Sequence, residues 1–350
     1  MTTRDFAGQT VKGAMTNAGA DTQVKPGGDA RRMSGAGVQV PMRFTAIWIA
    51  LAALVLAGRI FLPQSVELTS LMSILPFAAF LACATMGQTL VLMARGIDLS
   101  PPAIISLSST VLLGVSGGHD DRMALAIGAA LLAAVAVGLV NGLLVATLKL
   151  NALIVTLSTG AIVSGLTLWY RQSLAAESKV PGLLADFGGS RFLGLPISFW
   201  IVAILTVFVT LLLKKTVIGR RFEAAGANPR AAYATGVEVT RYQAGSFVVA
   251  AFLYGVAAIL LSAFIRNPTL EVGNPYLLGP IAAAVLGGTA ISGGIGNMFA
   301  VAGAALFLTQ LDHSLKMLGL PTSYQLIIQG VAIAVGMWLS EATSRVGRRY

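Results

Sequence analysis

Long apolar runs alternate with short polar breaks from residue 44 to residue 339, and most runs approach the about 20 residues a helix needs to cross a bilayer. The pattern predicts ten spans, at 44–62, 71–93, 101–116, 123–148, 152–170, 197–213, 243–265, 276–286, 298–311 and 323–339. The fold class that follows is an all-α polytopic membrane protein. Residues 1–42 are polar, rich in Gly, Ala and Thr and without an apolar core, so they read as a disordered tail. A cleavable signal would carry its apolar segment far earlier, and none is expected. Residues 43–340 then form the membrane domain and 341–350 a short basic tail.

One break, residues 214–242, is the longest and divides the spans five and five. An odd number of spans per half inverts the second half, which is the topology of transporters built from inverted repeats. That repeat follows from topology, because no sequence self-match accompanies it. The third span of each half is irregular: 101–116 opens on Pro101 and Pro102, and 276–286 is short and interrupted by Pro280. Broken spans at matching positions point to a substrate site, although a tilted or kinked helix has the same signature.

Composition narrows the class. Hydrophobic residues make up 56% of the chain and charged residues 11%, against about 25% charged in a soluble domain. The net charge of +10 lies at span ends and forms no aromatic-laced patch, so nucleic acid is not expected as a partner. With both termini inside, only Arg59, Arg122, Arg171, Lys179, Arg191, Arg266 and Lys316 of the 24 basic residues fall outside, which orients the central break and both tails toward the cytoplasm. Residues 171–196 then form the largest outer segment. The single cysteine, Cys83, and two separated histidines, His119 and His313, exclude an internal disulfide and argue against a cysteine or histidine metal centre, and no cofactor is expected.

The central break carries Lys214, Lys215, Arg220, Arg221, Arg230 and Arg241 against Glu223 and Glu238. Within it Asn228 can cap a helix, Pro229 suits the first helical position, and Gly236 can close the turn in a left-handed conformation. The resulting helix, 229–235, is about two turns long and marginal alone, so it needs either a partner or an incidental place in a solvated loop.

Elsewhere, Asp98 sits between spans two and three in Gly96-Ile97-Asp98-Leu99-Ser100 and admits two readings. It is a functional acid near hydrocarbon, or it faces the positive end of a helix that Ser100 starts. Polar residues inside spans are neutral, and Asn141, Thr156, Thr159 and Gln329 are candidates to line a path for a hydroxylated solute or to bond neighbouring helices. Ion-driven carriers place Asp, Glu or His within the membrane, whereas every acid here lies at a loop or span end. The glycine-rich run 287–296 lacks the Gly-Lys-Ser/Thr ending of a phosphate loop, so the chain is not expected to hydrolyse ATP itself.

Several of these stretches together resemble the permease subunits of ribose-type and other simple-sugar ATP-binding-cassette importers, over about residues 44–340. They are Gly96-Ile97-Asp98-Leu99-Ser100, Asn141-Gly142-Leu143-Leu144, Ile154-Val155-Thr156-Leu157, Lys215-Thr216 with Gly219-Arg220, Ala225-Gly226-Ala227-Asn228, and Gly287-Gly288-Thr289 with Ser292-Gly293-Gly294. The resemblance implies a bacterial inner-membrane permease that translocates a monosaccharide or similar polyol. It implies as partners a second permease copy or paralogue, cytoplasmic ATPase subunits and a periplasmic solute-binding protein. It also implies that the central break couples to the ATPase through Glu223, Asn228, Arg230, Ala231, Ala232 and Gly236. The family pattern of Glu-Ala-Ala followed by Gly is met by Arg230-Ala231-Ala232 with Gly236, except that Arg230 replaces the acid. A literal Glu223-Ala224-Ala225 lies upstream, with Gly226 too close behind it. Branched-chain amino-acid permeases are related alternatives, and an ATP-independent carrier or channel is the alternative from another class.

Overall fold

The apolar runs fold as helices in the expected order: α1 (Met42–Phe61), α2 (Leu68–Met93), α3 (Pro101–Ser116), α4 (Met123–Ala146), α5 (Ala152–Gln172), α6 (Gly182–Gly189), α7 (Ile197–Lys215), α8 (Val217–Ala227), α9 (Pro229–Ala234), α10 (Val239–Ile265), α11 (Gly279–Leu286) and α12 (Met298–Met317). The structure, a computed structural model, describes residues 42–174, 179–321, 323–325, 327–331 and 334. Seven of these helices, α1, α2, α4, α5, α7, α10 and α12, are long and apolar enough to cross a membrane, while α3 and α11 are shorter. Of the expected span at 323–339 only residues 323–325, 327–331 and 334 are described, and residues 1–41 and 341–350 lie outside the described residues.

The core forms around α2 and α10. From Ala82 to Met93 every residue of α2 is buried, as expected of a helix that is apolar all round and enclosed by other helices. α4 approaches α10 through Gly138 and Gly142, four residues apart. A Cβ on Gly138 would meet the Phe247 carbonyl at 2.6 Å, and one on Gly142 would meet the Ala244 carbonyl at 2.6 Å. Small residues at this spacing let two backbones pack closely without a hydrophobic driving force between helices. α5 instead leaves Leu157, Ile162 and Leu166 exposed, an apolar face suited to lipid or to another membrane subunit.

Two expectations change. The central break is not mainly loop, because α8 fills 217–227 ahead of the expected short helix, which spans Pro229–Ala234. Thr216 caps α8 by accepting from Gly219 N at 3.1 Å, a start that sequence reading did not weigh. Pro280 does not interrupt a span, since it stands in the first turn of α11. There its missing N–H costs nothing. The irregular backbone lies upstream, between α10 and α11, where the one short 3₁₀ turn is Asn274–Tyr276.

Between α6 and α7 a two-stranded antiparallel hairpin, β1 (Arg191–Phe192) and β2 (Leu195–Pro196), turns through Leu193 at φ 49° and Gly194 at φ 80°. Positive φ at both central residues matches the twist of paired strands.

Candidate translocation and coupling site

The connection from α2 to α3 closes tightly. Arg95 N donates to Leu92 O and Gly96 N to Val91 O, both at 2.9 Å, a Schellman closure with Arg95 in the left-handed position at φ 64°. Three residues on, Asp98 is 1% exposed. Its Oδ1 accepts from Ser100 N at 2.8 Å and from Ser100 Oγ at 2.6 Å. Ser100 occupies the N-cap position of α3, yet its hydroxyl makes no cap bond because it is turned to Asp98. Pro101 and Pro102 follow, so the first two amides of the helix are absent. Burial pushes the Asp98 carboxyl up, to about 6, against the two Ser100 donors that pull it down.

From Ser100 the bonds continue into α4 and α5. Asn141 Nδ2 donates to Ser100 Oγ at 3.0 Å, and Thr159 Oγ1 donates to Asn141 Oδ1 at 2.6 Å. Thr156 Oγ1 accepts from Leu99 N at 3.0 Å. Four residues singled out in the sequence, Asp98, Asn141, Thr156 and Thr159, thus meet in one network at the start of the broken helix. Gln329 lies apart, donating to Asp312 Oδ1 on α12 at 2.9 Å. Sequence reasoning placed Asp98 at a span end without seeing that it is enclosed.

The second irregular segment meets the first. Gly273 N donates to Ser106 Oγ of α3 at 3.2 Å, and a Cβ on Gly273 would collide with the Pro102 carbonyl. Ser262 Oγ of α10 donates to Ser109 Oγ at 2.9 Å. Nearby chemistry on α2 is also polar: Tyr254 Oη donates to Gln88 Oε1 at 3.1 Å. Among the described residues, Gln88 Nε2, Thr89 Oγ1 and Thr289 Oγ1 are buried without a hydrogen-bond partner. This interior offers hydroxyls and amides rather than a set of fixed charges.

The central break forms a helical hairpin of α8 and α9. Asn228 caps α9 by accepting from Ala231 N at 3.1 Å. Val237 N donates to Ala232 O and Gly236 N to Tyr233 O, both at 3.0 Å, so Gly236, at φ 80°, closes the helix as the sequence suggested. Lys214 pairs with Glu223 at 2.7 Å across the α7–α8 junction. Val217, Ile218 and Tyr233 are exposed, Tyr233 at 76%. Arg230 and Ala231 are exposed too, whereas Ala232 is 5% exposed and packs inward. Arg95, Gly226 and Gly294 join this hairpin to the rest of the fold; the two glycines lie in stretches that carry the family resemblance, whereas Arg95 had no sequence signal beyond that of a span-end cation.

Residues 70–336 match the family model described as "Branched-chain amino acid transport system / permease component". The chain is 32% identical over 303 residues to the ribose import permease protein RbsC of Bacillus subtilis (strain 168), covering 85% of this chain and 92% of that one. It is 31% identical over 297 residues to the autoinducer 2 import system permease protein LsrC of Escherichia coli O157:H7, covering 85% and 86%. It is 33% identical over 229 residues to the L-arabinose ABC transporter permease protein AraH of Azospirillum brasilense, covering 65% and 63%. No solved structure matches the chain.

Proposed function

We propose, on the premise that this chain belongs to the branched-chain amino acid transport system / permease component family, that it is the membrane-spanning subunit of an ATP-binding-cassette importer for a sugar or similar polyol. The observation that carries the reading is likeness to a ribose import permease along 92% of that protein's length. The protein is a multi-pass permease of the bacterial inner membrane, and ATP is hydrolysed in separate subunits. A periplasmic solute-binding protein delivers the solute, and a second permease, identical or paralogous, completes the pathway.

The α8–α9 hairpin is the part that engages the ATPase, facing the cytoplasm with both termini. Its exposed Val217, Ile218 and Tyr233 support an apolar contact, and Arg230 and Ala231 lie on the same hairpin. We read ten spans in two inverted halves, with α3 and α11 as the matching broken third spans. The contact between Gly273 and the start of α3 supports a solute path there, and Asn141, Thr156 and Thr159 supply neutral donors and acceptors beside it, next to the Asp98 carboxyl. Gln329 is a further candidate contact by its place in the last expected span.

The test is reconstitution in vesicles with the ATPase and binding protein that co-purify. Radiolabelled ribose, L-arabinose and autoinducer 2 are offered, with leucine as competitor. Uptake that requires ATP and the binding protein, and that leucine leaves unchanged, is expected. Uptake by the chain alone without ATP would replace the reading with a secondary carrier, and competition by leucine would move the solute class to branched-chain amino acids.

A further inference from the structure

Arg95 holds a left-handed backbone conformation, φ 64°, at the one place after α2 where glycine is the favoured residue. The side chain explains what keeps it there. Its Nε donates to Gly226 O at 2.7 Å and its Nη2 to Ala227 O at 2.7 Å. Those carbonyls end α8, where no intrahelical donor remains and a cation is favoured. Backbone packing reinforces the fork. Gly294 N donates to Met93 O at 2.8 Å, and a Cβ on Gly294 would meet Ala227 Cα at 2.6 Å. A Cβ on Gly226 would collide with the Met93 carbonyl. The end of α2, the end of α8 and the turn before α12 are therefore fastened backbone to backbone, with the arginine side chain forking onto the end of α8.

The same arginine begins the short connection that holds Asp98 and Ser100. On one side that connection is tied to the junction of α8 and α9, and on the other to α4 and α5 through Asn141, Thr156 and Thr159. We infer that Arg95 is a positioning residue that passes movement of the α8–α9 hairpin to the start of α3, so that ATPase motion and solute passage stay in step. The inference rests on the importer reading given above.

The experiment compares wild type with Arg95→Gly and Arg95→Lys in vesicles containing the co-purified ATPase and binding protein. Solute moved per ATP hydrolysed is read for whichever of ribose, L-arabinose or autoinducer 2 the wild type takes up. Glycine accepts the left-handed backbone and removes the fork, so Arg95→Gly should reach the membrane and bind the ATPase normally. Solute moved per ATP should nevertheless fall about fivefold or more. Lysine keeps the charge but cannot span both carbonyls, so Arg95→Lys should fall between the two. If Arg95→Gly does not accumulate, Arg95→Lys carries the test: a lowered ratio supports the inference and a wild-type ratio overturns it. An unchanged ratio in Arg95→Gly overturns the inference while leaving the importer reading intact. A wild type that moves none of the three solutes with ATP rejects that reading, and the inference with it.

Discussion

Asn141 is fully buried, and both ends of its amide are used, one by Ser100 Oγ and the other by Thr159 Oγ1. Its removal therefore breaks a continuous arrangement at its middle. Asn141→Leu keeps the bulk and deletes the amide, stripping Ser100 and Thr159 of a partner inside the protein. The expected loss is about 1–3 kcal/mol, the net contribution of two hydrogen bonds, since Ser100 Oγ keeps Asp98 and Thr159 Oγ1 keeps Val155 O. It should appear as a lower unfolding midpoint in detergent and slower uptake. An unchanged midpoint would mean that the network contributes little to stability.

Among the elements, the α8–α9 hairpin shows what the sequence could and could not carry. Asn228, Pro229 and Gly236 are local signals, and the helix they bound falls where those signals put it. Which of two adjacent alanines turns inward is not a local property. Ala231 is exposed and Ala232 is buried, and that choice is set by how α9 lies on the rest of the fold. Ala232→Trp should overpack the chain's own interior, costing about 1–3 kcal/mol and lowering abundance. Ala231→Trp should leave abundance unchanged and weaken ATPase capture, by about tenfold if the residue sits centrally in the contact. Quantitative pull-down beside membrane abundance separates the two, and normal capture by Ala231→Trp would remove α9 from the docking surface. The same limit explains Asp98: its place in a connection was legible, but its burial depends on α4 and α5, far along the chain. Gly138 and Gly142 were legible as a pair and went unread, since one glycine spacing in an apolar run does not name the helix it meets.

For the whole molecule the open question is which side faces the cytoplasm. Cys83 is the sole cysteine and is buried, its Sγ donating to Leu253 O at 3.3 Å, so Cys83→Ser should fold and give an unreactive background. In that background a cysteine at Arg230 should resist an impermeant maleimide on intact cells and react after permeabilisation. One at Leu193, at the exposed tip between β1 and β2, should react from outside. The reverse pattern would invert the whole topology and move the hairpin away from any cytoplasmic ATPase.

The paired prolines that open α3 bear on which solutes the interior can accept. A helix start ordinarily turns four free amides outward, a ready cradle for an anion. Here Pro101 and Pro102 have no amide hydrogen, and the Ser100 amide is already held by Asp98. If solute passes this helix as proposed, a phosphorylated sugar would meet a single remaining amide beside an acidic side chain, and is expected to be rejected where an uncharged one is accepted.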